Sequence, residues 1–460
     1  MTDRARFYEQ RDQRTREYLP DVVGERWFER PVAVHIGRDA ADSPRGQLAA
    51  LALVNMLARV HRHLCLLCPD SRLLVPQAVL ANGSCRHTSL RDALVAQVSV
   101  IDPFLRLDFS PRTLPTAGIA IGEAIDCPVP WYVGFNGSIV QLAAAPIPVD
   151  QREGFSLGAS FAACLAAATT FRLVLGRPVD AVNVSAWSLE PPRGGDPAPS
   201  ALGAVDVGRV LMVGAGAVGS SAAYWLRQSG LKGEWMVVDG DLAKLHNTNR
   251  SLGLTAADAG WPRQVSVPKA KVAADLIGAS ARTCWYDQLD HDALSPDLIL
   301  PLANERGVRT AISQLGQPLL LHATTSRTWE AQLHRHIAGR DDCIMCRMPL
   351  QASKVRLECS TVPIGSLGVS SDAALPFLSA TSGLLLVNSL YRLMAGELAQ
   401  DDKNFWRVMF NSVHGLTRSG RCHCLDTCCG ILPPGARRRI NVGRRWAHLD
   451  AAMKCSRTTC

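Results

Sequence analysis

No uninterrupted apolar run in this chain approaches the ~18 residues that a membrane-spanning helix needs. The first residues, Met1-Thr2-Asp3-Arg4-Ala5-Arg6-Phe7, are polar and charged and lack the apolar centre of a signal peptide. The expectation is therefore a cytoplasmic protein without a membrane partner. Charge is also sparse, at 20% of residues against 47% hydrophobic. That balance excludes a disordered or fibrous chain and, over 460 residues, implies two or three globular domains with substantial cores. A disulfide frame is absent too, because the 15 cysteines are odd in number and several crowd together, which favours metal and thiol chemistry. The net charge of +8 suits an acidic partner or a polyphosphate substrate. Much of the excess lies in Ala436-Arg-Arg-Arg-Ile440 and Gly443-Arg-Arg-Trp446, a pattern more often found at a solvated chain end than in a nucleic-acid site, so no nucleic-acid partner is expected.

What the chain does contain is Val210-Leu-Met-Val-Gly214-Ala-Gly216-Ala-Val-Gly219, a helix-like run to Gly230, and a second strand ending at Asp239. Four apolar residues make a buried strand, the glycines allow a tight turn against phosphate, and the next helix presents its positive end to that phosphate. Asp239 then closes on ribose hydroxyls. So far a dinucleotide site fits equally well. The tie is broken by Asp241, Asn247, Asn249 and Arg250, followed by Lys269 at the start of another helix. A nicotinamide enzyme has no need of these residues. A triphosphate does, because an arginine and a lysine converging on a glycine turn hold its phosphates and neutralise charge developing on pyrophosphate.

This pattern resembles the adenylation domain of ubiquitin-activating enzymes and their sulfur-carrier relatives, the ThiF type. The resemblance implies a Rossmann-like α/β fold that binds ATP with Gly214, Gly216 and Gly219 at the phosphates and Asp239 at the ribose. Asn249, Arg250 and Lys269 then lie along the triphosphate, with Asp241, Asn247 and Asn304 in the same pocket. After the strand Asp297-Leu-Ile-Leu300 the family places Asp-Asn, the aspartate holding Mg2+; this chain has Ala303-Asn304-Glu305. Alanine cannot bind a metal. Asn304 and Arg309 fit, and either Glu305 or Asp241 takes over the cation or adenylation is slow or absent; the expectation is a working site with a displaced ligand.

The cysteines divide by task. Cys343-Ile-Met-Cys346 is half of a tetrahedral metal knuckle, and Cys422-His-Cys424-Leu-Asp-Thr-Cys428-Cys429 offers the other half. The expected site holds Zn2+ with Cys343, Cys346, Cys424 and Cys428, the last two chosen over Cys422 and Cys429 because the three-residue turn between them lets both sulfurs loop inward; the family resemblance points to zinc as well. Glu358-Cys359-Ser-Thr-Val-Pro363 is similar to the Cys-Thr-x-x-x-Pro motif of thioester-forming cysteines, with proline one residue early. A polar turn before the loop Ile364-Gly-Ser-Leu-Gly368 allows Cys359 the exposure a nucleophile needs.

Residues 31–70 repeat the strand, turn, helix, strand order of 209–239, but the glycine turn is gone. Residues 1–200 are therefore expected to be a degenerate, inactive adenylation-like domain. Residues 201–430 form the active one, and 431–460 a basic tail, with the Pro- and Gly-rich stretch 190–200 as linker. Cys65 and Cys68, inside an apolar strand, read as small core residues. In the ThiF type the partner or inactive domain supplies an arginine to the ATP site; Arg14 and Arg16 stand in the right region, but their spacing departs from the family pattern, so both are expected on the surface. The resemblance implies adenylation of the C-terminal glycine of a ubiquitin-like protein, a thioester on Cys359, and transfer to a conjugating enzyme, as in bacterial antiphage operons. The alternatives are a sulfur-carrier adenylyltransferase, a peptide adenylase of the microcin type, and a catalytically dead scaffold.

Overall fold

The computed structural model describes residues 2–18, 25–75, 88–111, 115–124, 129–192, 194–195, 198–199, 202–291, 294–315, 317–326, 328–347, 375–411, 416–424 and 445–449. They build two mixed α/β halves that follow one plan. The first sheet is made by β1 (Val32–Ile36), β2 (His63–Leu67), β3 (Arg106–Asp108), β4 (Gly118–Ile121), β5 (Trp131–Asn136), β6 (Ile139–Ala143) and β7 (Val182–Ser185), in the order β3-β2-β1-β4-β5-β6-β7. The second is made by β8 (Val205–Val213), β9 (Leu231–Val238), β10 (Ser280–Arg282), β11 (Leu298–Pro301), β12 (Leu319–Thr325), β13 (Glu330–Ile337), β14 (Phe405–Met409) and β15 (Thr417–Gly420), in the order β10-β9-β8-β11-β12-β13-β14-β15. In each, five parallel strands start from a central first strand, and an antiparallel meander follows. The second sheet is the first with one strand added. The repeat read from residues 31–70 and 209–239 thus extends to the whole topology.

The helices are α1 (Asp3–Arg11), α2 (Arg38–Ala41), α3 (Pro44–Ala58), α4 (Leu90–Ile101), α5 (Leu157–Val174), α6 (Ala217–Gln228), α7 (Lys269–Ile277), α8 (Arg306–Gln314), α9 (Pro376–Met394) and α10 (Glu397–Gln400). Helix α5 joins the sixth and seventh strands of its sheet, and α9 joins the corresponding strands of the other. These equivalent helices pack on each other, so one apolar core runs through both halves. By length and composition α5 is apolar enough to cross a membrane, but 89% of it is buried inside the protein. Its small residues, such as Ala162, Ala163, Ala166 and Ala167, let α3 and α9 approach it closely. Gly383 does the same between α9 and α6, where an added Cβ would lie 2.6 Å from the Ala222 nitrogen.

The two halves differ at the crevice where the first and fourth strands of each sheet diverge, the place where doubly wound sheets hold ligands. In the first half Asp39 fills it. Its Oδ1 accepts the Glu123 N–H at 2.9 Å and its Oδ2 the Val149 N–H at 3.0 Å, beside Gly122, whose φ is +81°. A carboxylate of the chain itself occupies donors that a phosphate would need.

The first half also fastens a loop of the second. Arg59, at the C-terminal end of α3, is fully buried. Its Nη1 donates to the carbonyls of Thr248 (2.6 Å) and Leu254 (3.0 Å), Nη2 to Leu252 (2.6 Å), and Nε to Asn55 Oδ1 (2.8 Å). Burial among these neutral acceptors draws its pKa down to about 9. Replacing it as Arg59→Met removes the side-chain donor from the Thr248 and Leu254 carbonyls and leaves Leu252 only a long bond from Asn55 Nδ2 at 3.4 Å, each unsatisfied buried group costing about 1–3 kcal/mol. The expected result is a loss of several kcal/mol in urea denaturation; an unchanged midpoint would mean that the loop holds itself.

Candidate active site

In the second half the corresponding crevice is open. Strand β8 ends on Gly214, whose φ is +103° and where an added Cβ would lie 2.5 Å from the Ala303 nitrogen at the end of β11. Only glycine tolerates both conditions. Gly219 on α6 presses on the same turn, its Cβ position being 2.1 Å from the Gly214 oxygen. Gly216, which caps α6 without a side-chain hydrogen bond, faces space in which an added Cβ meets nothing within 4 Å. The first-turn N–H groups of α6 lack intrahelical partners, so this open floor suits a phosphate.

Asp239 follows β9 and braces the turn. Its Oδ2 accepts the Ala215 N–H at 2.7 Å and its Oδ1 the Asp241 N–H at 2.8 Å. Burial raises its pKa, opposed chiefly by Lys269. Both oxygens retain lone pairs for a ribose hydroxyl. Lys269 opens α7 and is paired through Nζ with Asp241 Oδ2 at 2.7 Å, its side chain almost fully buried. Arg250 is buried as well; its Nη1 donates to the His246 carbonyl at 2.7 Å and to Asn249 Oδ1 at 3.0 Å, and its own carbonyl accepts from Ser379 of α9 at 2.6 Å. Asn247 accepts the Lys244 N–H at 2.9 Å and so shapes the loop from within. Asn304 is exposed at the rim, while Arg309 Nε donates to the Ala303 carbonyl at 2.5 Å.

The position of Arg14 corrects the sequence expectation. It is 5% exposed, not a surface arginine, because α1 packs Phe7 and Tyr8 against Leu245 and Ala256 of the second half and carries the following residues inward. Next to it, Thr15 Oγ1 accepts from Asn249 Nδ2 at 2.9 Å. Arg16 instead folds back on its own segment and donates to the Glu9 carbonyl. Buried His246 registers the result: desolvation, then Arg250, Arg14, Lys269 and Lys244, push its pKa down to about 3. Four cations gather around one neutral imidazole. Lys244 had no signal in the sequence beyond its charge, and the approach of Arg14 depends on a fold contact that no local pattern reveals.

Opposite the cations, Glu305 caps α8 and is buried. Its pKa is raised to about 7 by desolvation, with Asp239 and Asp241 adding to the effect. Asp241 is already paired with Lys269, so Glu305 is the carboxylate whose charge is least compensated. That fits it, rather than Ala303, to hold a divalent cation.

The cysteine knuckle assembles from two segments. Cys343 and Cys346 sulfurs are 3.6 Å apart, the Cys343 N–H donates to Cys424 Sγ at 3.2 Å, and the three sulfurs lie within 4.8 Å of one another. Asn404 ties the segments together, its side chain bonding Asp342 Oδ1 and both the carbonyl and the N–H of Cys422. With its backbone so held, Cys422 stands outside the sulfur cluster. The sulfur spacing fits a tetrahedral ion with metal–sulfur bonds of about 2.3 Å. Cys428 and Cys359 lie outside the described residues.

The strand order, with an open glycine turn at the crevice, makes the second half an α/β domain of the doubly wound class. It is a ThiF family domain, matched over residues 201–421, and residues 31–189 match the BilD N-terminal domain. No curated protein matches the chain. Among solved structures, E. coli MccB with succinimide is 14% identical, covering 48% of this chain and 66% of that one at a TM-score of 0.37. E. coli MccB with ATP is 13% identical (48% and 64%, TM-score 0.36), and the microcin C7 biosynthetic enzyme MccB with N-formylated MccA is 15% identical (48% and 66%, TM-score 0.36). The chain thus spans just under two thirds of the length of these structures.

Two outcomes are expected. Gly216→Ala leaves the thermal midpoint unchanged yet weakens ATP binding in calorimetric titration by about tenfold or more, since the methyl enters the open floor, whereas Gly214→Ala destabilises the fold itself. Equal ATP affinity in Gly216→Ala would place the phosphates elsewhere. For Glu305, a raised pKa means that the proton is held below about pH 7 and must leave before a cation can bind. Mg2+ affinity therefore rises with pH through about 7. Titrating Mg2+ into the nucleotide complex between about pH 6 and 8 checks this, and Glu305→Gln should flatten the profile.

Proposed function

We propose that the chain is an adenylating enzyme that consumes ATP to activate the C-terminal carboxylate of a ubiquitin-like protein and then captures it as a thioester. The reading is carried by the gathering of Arg250, Lys269 and Arg14 about His246 in a ThiF family domain whose glycine turn is open. A carboxylate oxygen of the substrate attacks the α-phosphorus of ATP, the bond to the bridging oxygen breaks, and pyrophosphate leaves. In this reading Arg250 and Lys269 neutralise the charge that grows on it. Their burial removes competing water and strengthens each contact. Glu305 and Asp241 would hold Mg2+, which would supply further charge neutralisation on the phosphates.

In the second step the thiolate of Cys359 attacks the acyl carbonyl, AMP leaves, and the resulting thioester is passed to a conjugating enzyme. Cys343, Cys346 and Cys424, with Cys428 as fourth ligand, would hold Zn2+ and so tie the end of the domain back to the segment preceding Cys359. The setting that the family resemblance implies, a bacterial antiphage conjugation system in the cytoplasm, belongs to the same proposal. A match to the BilD N-terminal domain beside a ThiF domain supports a dedicated two-half architecture for it.

Exchange of labelled pyrophosphate into ATP tests both steps. Arg250→Ala and Lys269→Ala should each lower exchange by about 100-fold or more. Cys359→Ala should retain exchange but lose the reducible enzyme adduct seen on nonreducing gels with the cognate ubiquitin-like protein. Exchange supported by a short peptide and not by a folded partner, or an adduct that persists in Cys359→Ala, would overturn the thioester reading.

A further inference from the structure

A second group of metal-binding side chains lies far from the nucleotide turn, on the first sheet. His63 and Cys65 are two residues apart on β2 and so project from the same face. Asp108 of β3 lies opposite Cys65 in parallel register, on that face as well. One ligand atom from each of the three falls within 4.8 Å of the others, and Cys65 Sγ is 3.8 Å from His63 Nε2. Around a tetrahedral zinc ion, bonds of about 2.3 Å to sulfur and 2.0 Å to nitrogen separate those two ligands by about 3.5 Å. The pair is already near that spacing.

The surroundings suit an ion. Cys65 is 2% exposed and packs with Ala33, Ala120 and Tyr132, while His63 and Asp108 are half-buried, leaving an approach from the sheet edge. A divalent cation with one thiolate, one carboxylate and one neutral imidazole forms a site of zero net charge, the kind a partly buried position tolerates. Burial lowers the pKa of His63, and exposed Arg106, opposite it in register, adds to the effect, which keeps the imidazole in the neutral form a ligand requires. Burial and Asp108 raise the Cys65 thiol, so an ion must displace its proton to solvent on binding.

We propose that His63, Cys65 and Asp108 form a metal site of the first half that takes a divalent zinc-class ion, with water in the fourth position. The ion cross-links β2 to the edge strand β3 and closes the long segment between them. It is separate from the Cys343 knuckle, which belongs to the other sheet.

Elemental analysis of the full chain purified without chelator tests this, using zinc alone as the probe. His63→Ala and Asp108→Asn should each carry one equivalent of zinc fewer than the parent, whatever the knuckle holds, while Cys343→Ser loses zinc independently. Cobalt loaded into Cys343→Ser should show a thiolate-to-cobalt absorption band that disappears when Cys65→Ala is added. Because Asp108→Asn preserves shape at a half-buried position, it separates ligand loss from misfolding. Zinc content equal to the parent in both His63→Ala and Asp108→Asn, or no thiolate band in cobalt-loaded Cys343→Ser, overturns the site.

Discussion

The buried guanidinium of Arg59 is the contact on which the assembly of this molecule most depends. It gathers the carbonyls of Thr248, Leu252 and Leu254 from a loop that would otherwise have buried acceptors without donors. That loop carries Asn249 and Arg250. The paired helices α5 and α9 bring the halves together through apolar area, which is non-directional, whereas Arg59 fixes their register because hydrogen bonds have geometry. Polar contacts at the same seam, such as Asn388 with the Ala186 and Trp187 carbonyls and Trp187 Nε1 with Glu397, act in the same sense.

The first half shows what replaces a ligand when a cradle is given up. In the second half Gly216, at the start of α6, faces open space. In the first, Asp39 reaches over the end of its short helix and takes the Glu123 and Val149 N–H groups for itself. An internal carboxylate does so permanently, and the crevice then contributes rigidity to the half that carries Arg59.

Much of this was legible in the chain. The strand into Gly214 and the turn glycines are local patterns of apolar and small residues, so they could be read directly. The duplication was visible as a repeated strand, turn and helix, although the full equivalence of the meanders and of α5 with α9 required the strand order. What could not be read were meetings between distant segments. Arg14 lies in the cation cluster because Phe7 and Tyr8 pack against Leu245 and Ala256, and nothing near Arg14 in the sequence encodes that contact. The raised pKa of Glu305 likewise comes first from burial in the fold, with Asp239 and Asp241, from the segment after β9, adding to it. The hold of Asn404 on the Cys422 backbone is likewise a contact between distant segments, although the choice of Cys424 over Cys422 was already made from the spacing.

The bond from Asn249 to Thr15 has a consequence for stoichiometry. A homodimer made from the second half alone would present two glycine turns, yet it would lack α1 and the residues that follow it, so neither turn would receive Thr15 or Arg14. Fusion to the altered copy gives up one of two equivalent workplaces and equips the other. Among the described residues the contact of Thr15 with Asn249 therefore serves one half alone, and the two halves are not interchangeable.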